Sequence, residues 1–381
     1  ETGFSEVYFN KAIKTTKTRL LKDDPGLTVY SLSNEKTFDI TIGDRVLSEE
    51  IVSGGRVPVY SANVYEEFGR IDKENMKDYS RPSVIWGIDG DWMVNIIPAG
   101  VPFYPTDHCG VLRIKTEKIL PEYMMYALQA EGEYERFSRN NRASAQRIRS
   151  LVVQAPETKI QKNIIDELKA LDDKINGQNA EIEKYENSIR TKFDQIFHLE
   201  EFISDGVFSK YEGYSVEDLC IDGRGRVINQ QYIENHKGPY PVYSFQTTND
   251  GIFGSIDTFD FDGEYITWTT DGAKAGTVFY RNGKFNCTNV CGTLKAKNDK
   301  VNMRYLAYLL NRIAYKFVSR VGNNKLMNDA MKKIVVPVPK RQLQDEFADF
   351  VQSVEKSKFE CIGKKEKFEI EKDTFVHKYF R

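Results

Sequence analysis

Long apolar runs are missing from this 381-residue chain. No stretch approaches the roughly 20 apolar residues that span a bilayer, and no basic-then-apolar leader opens it. Cysteine is scarce: five in 43.9 kDa is too few for the disulfide framework of a secreted protein, so a reducing cytoplasm is expected. The four histidines, His108, His198, His236 and His377, are scattered with no Ser or Cys in a Gly-x-Ser-x-Gly turn nearby, which leaves nucleophilic catalysis without an anchor. Also absent are a Gly-rich cofactor loop after a strand, a phosphate loop ending in Gly-Lys-Ser, and the Asn-Pro-Pro-aromatic tetrapeptide of an amino-methyltransferase. Charge of one sign is lacking as well. With a formal net charge of −2, any affinity for nucleic acid must come from local patches. The sequence opens at Glu1 without an initiator Met, which leaves open a processed chain or a piece of something larger.

Candidate metal and acid chemistry is thin. Cys287 and Cys291 lie four apart and His108 adjoins Cys109, but that spacing is not a usual zinc pair. Asp262-Gly263-Glu264 is followed by Tyr265-Ile266-Thr267 with no lysine at the step a metal-dependent nuclease requires. Glu157-Thr158-Lys159 opens a helix, where the dipole explains an acidic residue. Asp271-Gly272-Ala273-Lys274-Ala275-Gly276 is weak as a nucleotide loop and reads as a hairpin. Catalysis by this chain alone is not expected, and no metal is.

What the chain does have is heptads. Leu168, Ile175, Ile182, Ile189 and Ile196 recur every seven residues, with Ile164, Leu171 and Tyr185 on the adjoining seam. A helix of about forty residues, roughly 60 Å long, is predicted from about Val153 to Phe197, and its stripe demands another helix. Gly177 costs about 1 kcal/mol of helix propensity and Gln178 puts a polar group on the seam. A second run from Val335 to Phe380 repeats Phe347, Val354, Cys361, Phe368 and Phe375 at the same interval.

The two runs belong to an internal duplication at an offset of about 183 residues. It sets Gln161 opposite Gln344, Pro58-Val59-Tyr60-Ser61 opposite Pro241-Val242-Tyr243-Ser244, Cys109-Gly110 opposite Cys291-Gly292, and Asp89-Gly90 opposite Asp271-Gly272. Cys287 then falls opposite Pro105, which removes the case for zinc. In each copy, strand-like segments (Val29 to Leu32, Val57 to Ser61, Val111 to Ile114 in the first) precede a helix, about Pro121 to Tyr134 in the first. A basic loop follows. Residues 136–149 hold five arginines and no acid; Asn311 to Lys333 holds Arg312, Lys316, Arg320, Lys325, Lys332 and Lys333 against Asp329 alone. A turn around Ser204-Asp205-Gly206 leads into the second copy. Arg and Lys neutralise phosphates, while Asn, Gln and Arg can pair with base edges in the major groove. One such loop could be a solvated helix end; the same composition at the same place in both copies favours binding. Trp86, Trp92 and Trp268 read as core or sheet-edge residues rather than stacking platforms.

On these features the chain resembles the specificity subunits of type I restriction-modification enzymes. The carriers are the lead-ins Val152 to Pro156 and Val335 to Pro339 running into Gln161 and Gln344, the paired Pro-Val-Tyr-Ser stretches, and the Asn-rich basic loops. The resemblance implies an α+β fold with two β-rich target-recognition domains in pseudo-two-fold repeat, residues 1–150 and 201–335. Heptad helices at 151–200 and 336–381 would form an antiparallel coiled coil that holds the domains at opposite ends. It implies a non-catalytic chain in a bacterial or archaeal cytoplasm that reads an asymmetric, split site in double-stranded DNA. Two methyltransferase subunits, which bring S-adenosylmethionine, would dock on the helices, and restriction subunits would join through them; this chain itself would hold no cofactor. DNA contacts are expected from Arg139, Asn140, Asn141, Arg142, Gln146 and Arg147 in one copy, and from Lys274, Arg320, Asn323, Asn324 and Lys325 in the other. Two alternatives stay open: the recognition portion of a fused restriction or methyltransferase enzyme, and a coiled-coil scaffold that binds only protein.

Overall fold

A computed structural model describes residues 24–197, 211–246 and 249–380. The predicted turn at Ser204 to Gly206, and His198, lie outside the described residues. The chain divides into two compact units, Glu1–Gly177 with Lys365–Arg381, and Gln178–Lys364.

In the first unit, strands β1 (Thr28–Ser31), β2 (Phe38–Ile42), β3 (Val57–Tyr60), β4 (Gly69–Ile71), β5 (Ser83–Gly87), β6 (Val94–Ile97), β7 (Tyr104–Pro105), β8 (Cys109–Ile114) and β9 (Val152–Ala155) build three sheets. Their orders are β2-β8-β5-β6, β4-β3-β7 and β1-β9. Helix α1 (Pro121–Tyr134) starts with proline at its first turn, and the short α2 (Ala145–Arg149) is capped by the Ser144 hydroxyl. The basic segment is therefore not a plain loop, because that cap turns its second half into a helix. Helix α3 (Thr158–Phe197) is the first long rod.

The second unit repeats the order with β10 (Gly213–Ser215), α4 (Val216–Leu219), β11 (Cys220–Arg224), α5 (Gln230–Asn235), β12 (Lys237–Tyr243), β13 (Ile252–Ile256), β14 (Phe261–Thr269), β15 (Val278–Cys287), β16 (Cys291–Ala296), α6 (Met303–Ile313), α7 (Asn328–Lys332), β17 (Val335–Pro337) and α8 (Arg341–Phe380). Here six strands form one sheet, β11-β16-β14-β15-β12-β13. Uninterrupted β15 takes the place that β6 and β7 share in the first unit, where Pro98 and Pro102 remove ladder donors and split the strand. The predicted equivalence of Pro105 and Cys287 holds at the level of pairing: Tyr60 sits across from Pro105, and Tyr243 across from Cys287, both in parallel register. The Asp271 to Gly276 segment is the turn of the β14-β15 hairpin.

Each lead-in is a strand that closes its own unit. β9 pairs with β1 from Thr28 opposite Ala155, and β17 with β10 from Gly213 opposite Pro337. A buried glutamine on the first turn of each rod then locks the joint. Gln161 accepts from Leu120 N at 2.8 Å and donates to Pro156 O and Lys118 O at 2.7 and 2.8 Å. Gln344 accepts from Asn302 N at 2.7 Å and donates to Pro339 O and Lys300 O at 2.7 and 3.2 Å. Tyr123 and Tyr305 each donate a phenol hydrogen bond, at 2.9 Å, to a lead-in carbonyl.

The heptad seams pair within each unit, and the helices run antiparallel. In the first unit Lys372 of α8 donates to Asp172 of α3 at 2.5 Å and Lys174 lies over the Phe368 ring; Ile164, Leu168 and Leu171 are buried, and Ile175, Phe368 and Phe375 half-buried. Phe380 packs against Tyr123 in the same core. In the second unit Lys192 donates to Glu346 at 2.7 Å and Lys358 reaches Glu186; Ile189, Phe347 and Val354 are buried, and Ile182 half-buried. Phe193 and Phe197 at the end of α3 meet Phe347 and Tyr305 in that core.

If the glutamine locks carry the joint, Gln161→Leu and Gln344→Leu each leave three backbone groups without a partner. Each should cost about 2–4 kcal/mol in urea unfolding; a change below about 0.5 kcal/mol would show the joint rests on packing alone.

Candidate nucleic-acid interface

Both cationic segments are hung from the central sheet by the same joinery. In the first unit the Trp86 indole, fully buried, donates to Ala143 O at 2.8 Å, and Ala143 N donates to Ile88 O at 2.9 Å. In the second, Trp268 donates to Leu326 O at 2.8 Å, and Leu326 N to Thr270 O at 2.9 Å. Each indole lies against a glycine of the next strand: a Cβ on Gly110 would come within 2.1 Å of Trp86, and one on Gly292 within 2.2 Å of Trp268. Trp86 and Trp268 are thus core residues that anchor the chain at Ala143 and Leu326, directly after the exposed cationic turns.

What those segments present differs. In the first unit, Arg139 and Asn140 form the two exposed residues of a tight turn closed by Ser138 and Asn141, which exchange backbone hydrogen bonds at 3.0 Å. The Asn141 amide holds that turn, donating to Glu135 O and Arg136 O at 2.9 and 3.0 Å and accepting from Arg147 at 2.5 Å. Arg147 also lies over the Phe137 ring, 4.6 Å from its centroid, and donates to Arg142 O. Arg139, Asn140, Arg142 and Gln146 are exposed, whereas Asn141 and Arg147 are half-buried braces beneath them.

In the second unit the turn is longer. Ser319 and Lys325 exchange hydrogen bonds at 2.8 and 3.0 Å, so residues 320–324 project as a loop. Asn324 O accepts from Gly272 N at 3.1 Å, which brings the hairpin carrying exposed Lys274 alongside exposed Arg320, Asn323 and Lys325. Arg312 leaves this group: it pairs with Asp194 of α3 at 2.8 Å.

Sequence reasoning missed the carboxylate beside each segment. Asp89 holds Arg142 at 3.1 Å and His108 Nδ1 at 2.8 Å. Asp271 holds Lys325 at 3.7 Å and Arg224 at 3.9 Å, and accepts from the Thr270 hydroxyl at 2.6 Å. These half-exposed pairs add little stability, on the order of 1 kcal/mol or less, but they fix where cations point. Asp89-Gly90 and Asp271-Gly272 align across the copies, but the sequence marks them only as turns and does not connect them to these partners. An open recess lined by Arg45, Ser61, Phe68, Thr106 and Asp107 adjoins His108.

No group of three or more His, Cys, Asp or Glu among the described residues is placed to hold a metal ion, and no helix among them is long and apolar enough to cross a membrane. All five cysteines are buried as free thiols. Burial pushes the Cys109, Cys220 and Cys287 thiols up, Cys220 to about 12.

Two copies of one β-rich plan, each offering a carboxylate-braced cationic segment and each closed onto paired heptad helices, define a tandem recognition protein of the α+β class. The chain belongs to the type I restriction modification DNA specificity domain family, whose sequence pattern matches residues 36–184 and 209–372. A putative type I specificity subunit of Mycoplasma pneumoniae is 39% identical over 212 residues, 55% of this chain and 77% of that one. The specificity subunit of the type I restriction enzyme MpnII, from the same organism, is 48% identical over 147 residues, 38% of this chain and 44% of its own length. The crystal structure of a type I restriction-modification S subunit from M. genitalium shares the fold, with a TM-score of 0.60 at 18% identity over 95% of this chain and 98% of that one.

Because all five thiols are buried and only an accessible thiolate reacts, the native chain should take up almost no iodoacetamide at pH 8, while the denatured chain takes up five equivalents by intact mass. Rapid labelling of any thiol in the native chain would show a core looser than described.

Proposed function

We propose that this chain is the DNA sequence-recognition subunit of a type I restriction-modification complex in a bacterial or archaeal cytoplasm. The observation that carries the reading is the repetition, in both units, of a cationic segment pinned to the sheet by a buried tryptophan and braced by an aspartate, in a chain of this family. Each unit reads one part of a split site in double-stranded DNA, through Arg139, Asn140, Arg142 and Gln146 in one and Lys274, Arg320, Asn323 and Lys325 in the other. Asn141, Arg147 and Asn324 hold those side chains in place. Cations contribute most of the affinity through phosphates, and amides and bidentate arginine contribute the discrimination.

Because the two segments differ in length and composition, the site is asymmetric. The paired helices set the spacing between its halves and dock two methyltransferase subunits, through which restriction subunits join. S-adenosylmethionine belongs to the methyltransferases, and this chain is non-catalytic. Asp89 and Asp271 keep neighbouring cations from collapsing onto one phosphate, so their role is positional.

Selection from random duplexes by the chain with its methyltransferase partners should return two short half-sites around an unread spacer. Replacing Arg139 and Arg142 with Ala should weaken binding at one half-site and lower the salt slope by about one for each phosphate no longer neutralised, with the other half-site unchanged. Equal relaxation of both halves would contradict separate readers. Deleting one heptad from each long helix should change the spacer and neither half-site; a constant spacer would mean the helices do not set it.

A further inference from the structure

The turn of the second unit carries one residue that its chemistry does not explain. Val321 sits at the tip between Arg320 and Gly322 and is 92% exposed, more than any other large hydrophobic side chain among the described residues. Its surroundings are not loose. The stem is closed by the Ser319 and Lys325 exchange, Asn324 is tied to Gly272, and Leu326 is tied to both Thr270 and Trp268. Gly322 takes a positive φ of 74° immediately after it, and a Cβ there would meet nothing within 4 Å, so the tip turns sharply in open space. A stiff, β-branched aliphatic side chain is thus held away from the core on a rigid stem, flanked by exposed Arg320, Asn323 and Lys325.

Single exposed aliphatics are common and need no account by themselves. The setting is what narrows this one. A cationic rim selects a polyanion, and in the major groove of a duplex the apolar group that base edges offer is the C5-methyl of thymine. The corresponding tip of the first unit is polar, since Arg139 and Asn140 are its two residues. On the DNA reading given above, we propose that Val321 is a specificity-determining residue that seats against the 5-methyl group of a thymine in the half-site read by the second unit. The methyl group leaves water and the valine loses its exposure, while Arg320 and Lys325 hold the adjacent phosphates. The recognised site then depends on a methyl group in one half and not through this residue in the other.

The test uses the full chain with its methyltransferase partners on the selected duplex, each thymine replaced singly by deoxyuridine. The half-site of the second unit is the one that the Arg139 and Arg142 replacements leave unchanged. With the unaltered chain, one position in that half-site should lose about four-fold in affinity, the value of one buried methyl group. Val321→Ala should bind the thymine duplex more weakly by a similar factor and be indifferent to the uracil replacement; Val321→Ile should keep the discrimination. Neither variant should alter the other half-site or the unfolding midpoint.

Three results overturn the proposal while leaving the recognition reading intact: a half-site without a T·A pair, a uracil penalty that is the same in Val321→Ala, or a loss in Val321→Ala that ignores the methyl group, as a wedge between base steps would give. Absence of any split-site preference overturns the recognition reading itself and this proposal with it.

Discussion

The apolar seam between the two long helices is the constraint on which the rest depends. A forty-residue helix with charge on most of its surface has no reason to persist alone, since each turn of such a rod is only marginally stable in water. Burying one leucine, isoleucine or phenylalanine is worth about 1.5–3 kcal/mol, and the seam does this every three to four residues. Within the first unit Ile164 and Leu168 of α3 belong to the globular core, and within the second Ile189, Phe193 and Phe197 do, whereas Ile175 and Ile182 are half-buried. The globular parts are thus continuous with the helices, and neither core is complete without them.

The duplicated joinery and the unlike tips separate a shared frame from the surfaces it carries. Gln161 and Gln344, Tyr123 and Tyr305, Trp86 and Trp268, and Gly110 and Gly292 make the same contacts in both units at nearly the same distances. Beyond these residues the copies part. A two-residue turn stands where the other unit has a five-residue loop, and His108 stands on an aspartate where the other unit uses Arg224. A frame fixed at these shared contacts can carry different surfaces on its turns.

Much of this frame was legible in the sequence because it rests on periodicity and repetition. The seven-residue interval located both helices, and the offset aligned the lead-ins, the strands and Gln161 with Gln344. Three things were not legible. The first is that β6 and β7 are one strand in the second unit, which depends on where prolines fall relative to ladder donors. The second is the internal structure of the basic segments: composition gives no sign of the local hydrogen bonds that tie Asn141 and Arg147 into the turn. The third is Asp89 and Asp271, whose partners Arg142, His108, Lys325 and Arg224 lie far away along the chain or on another element, so spacing could not connect them.

The order in which the chain is made bears on how its units close. The second unit is one unbroken stretch, Gln178–Lys364, while the first needs Lys365–Arg381 to finish its core. On a ribosome adding about 5–20 residues per second, the later-coded unit can close as soon as it emerges. The earlier-coded one must wait, with the patch around Tyr123 open until Phe380 arrives. The first unit's core is therefore the last to be completed as the chain is made, since Phe380 of the second rod belongs to it.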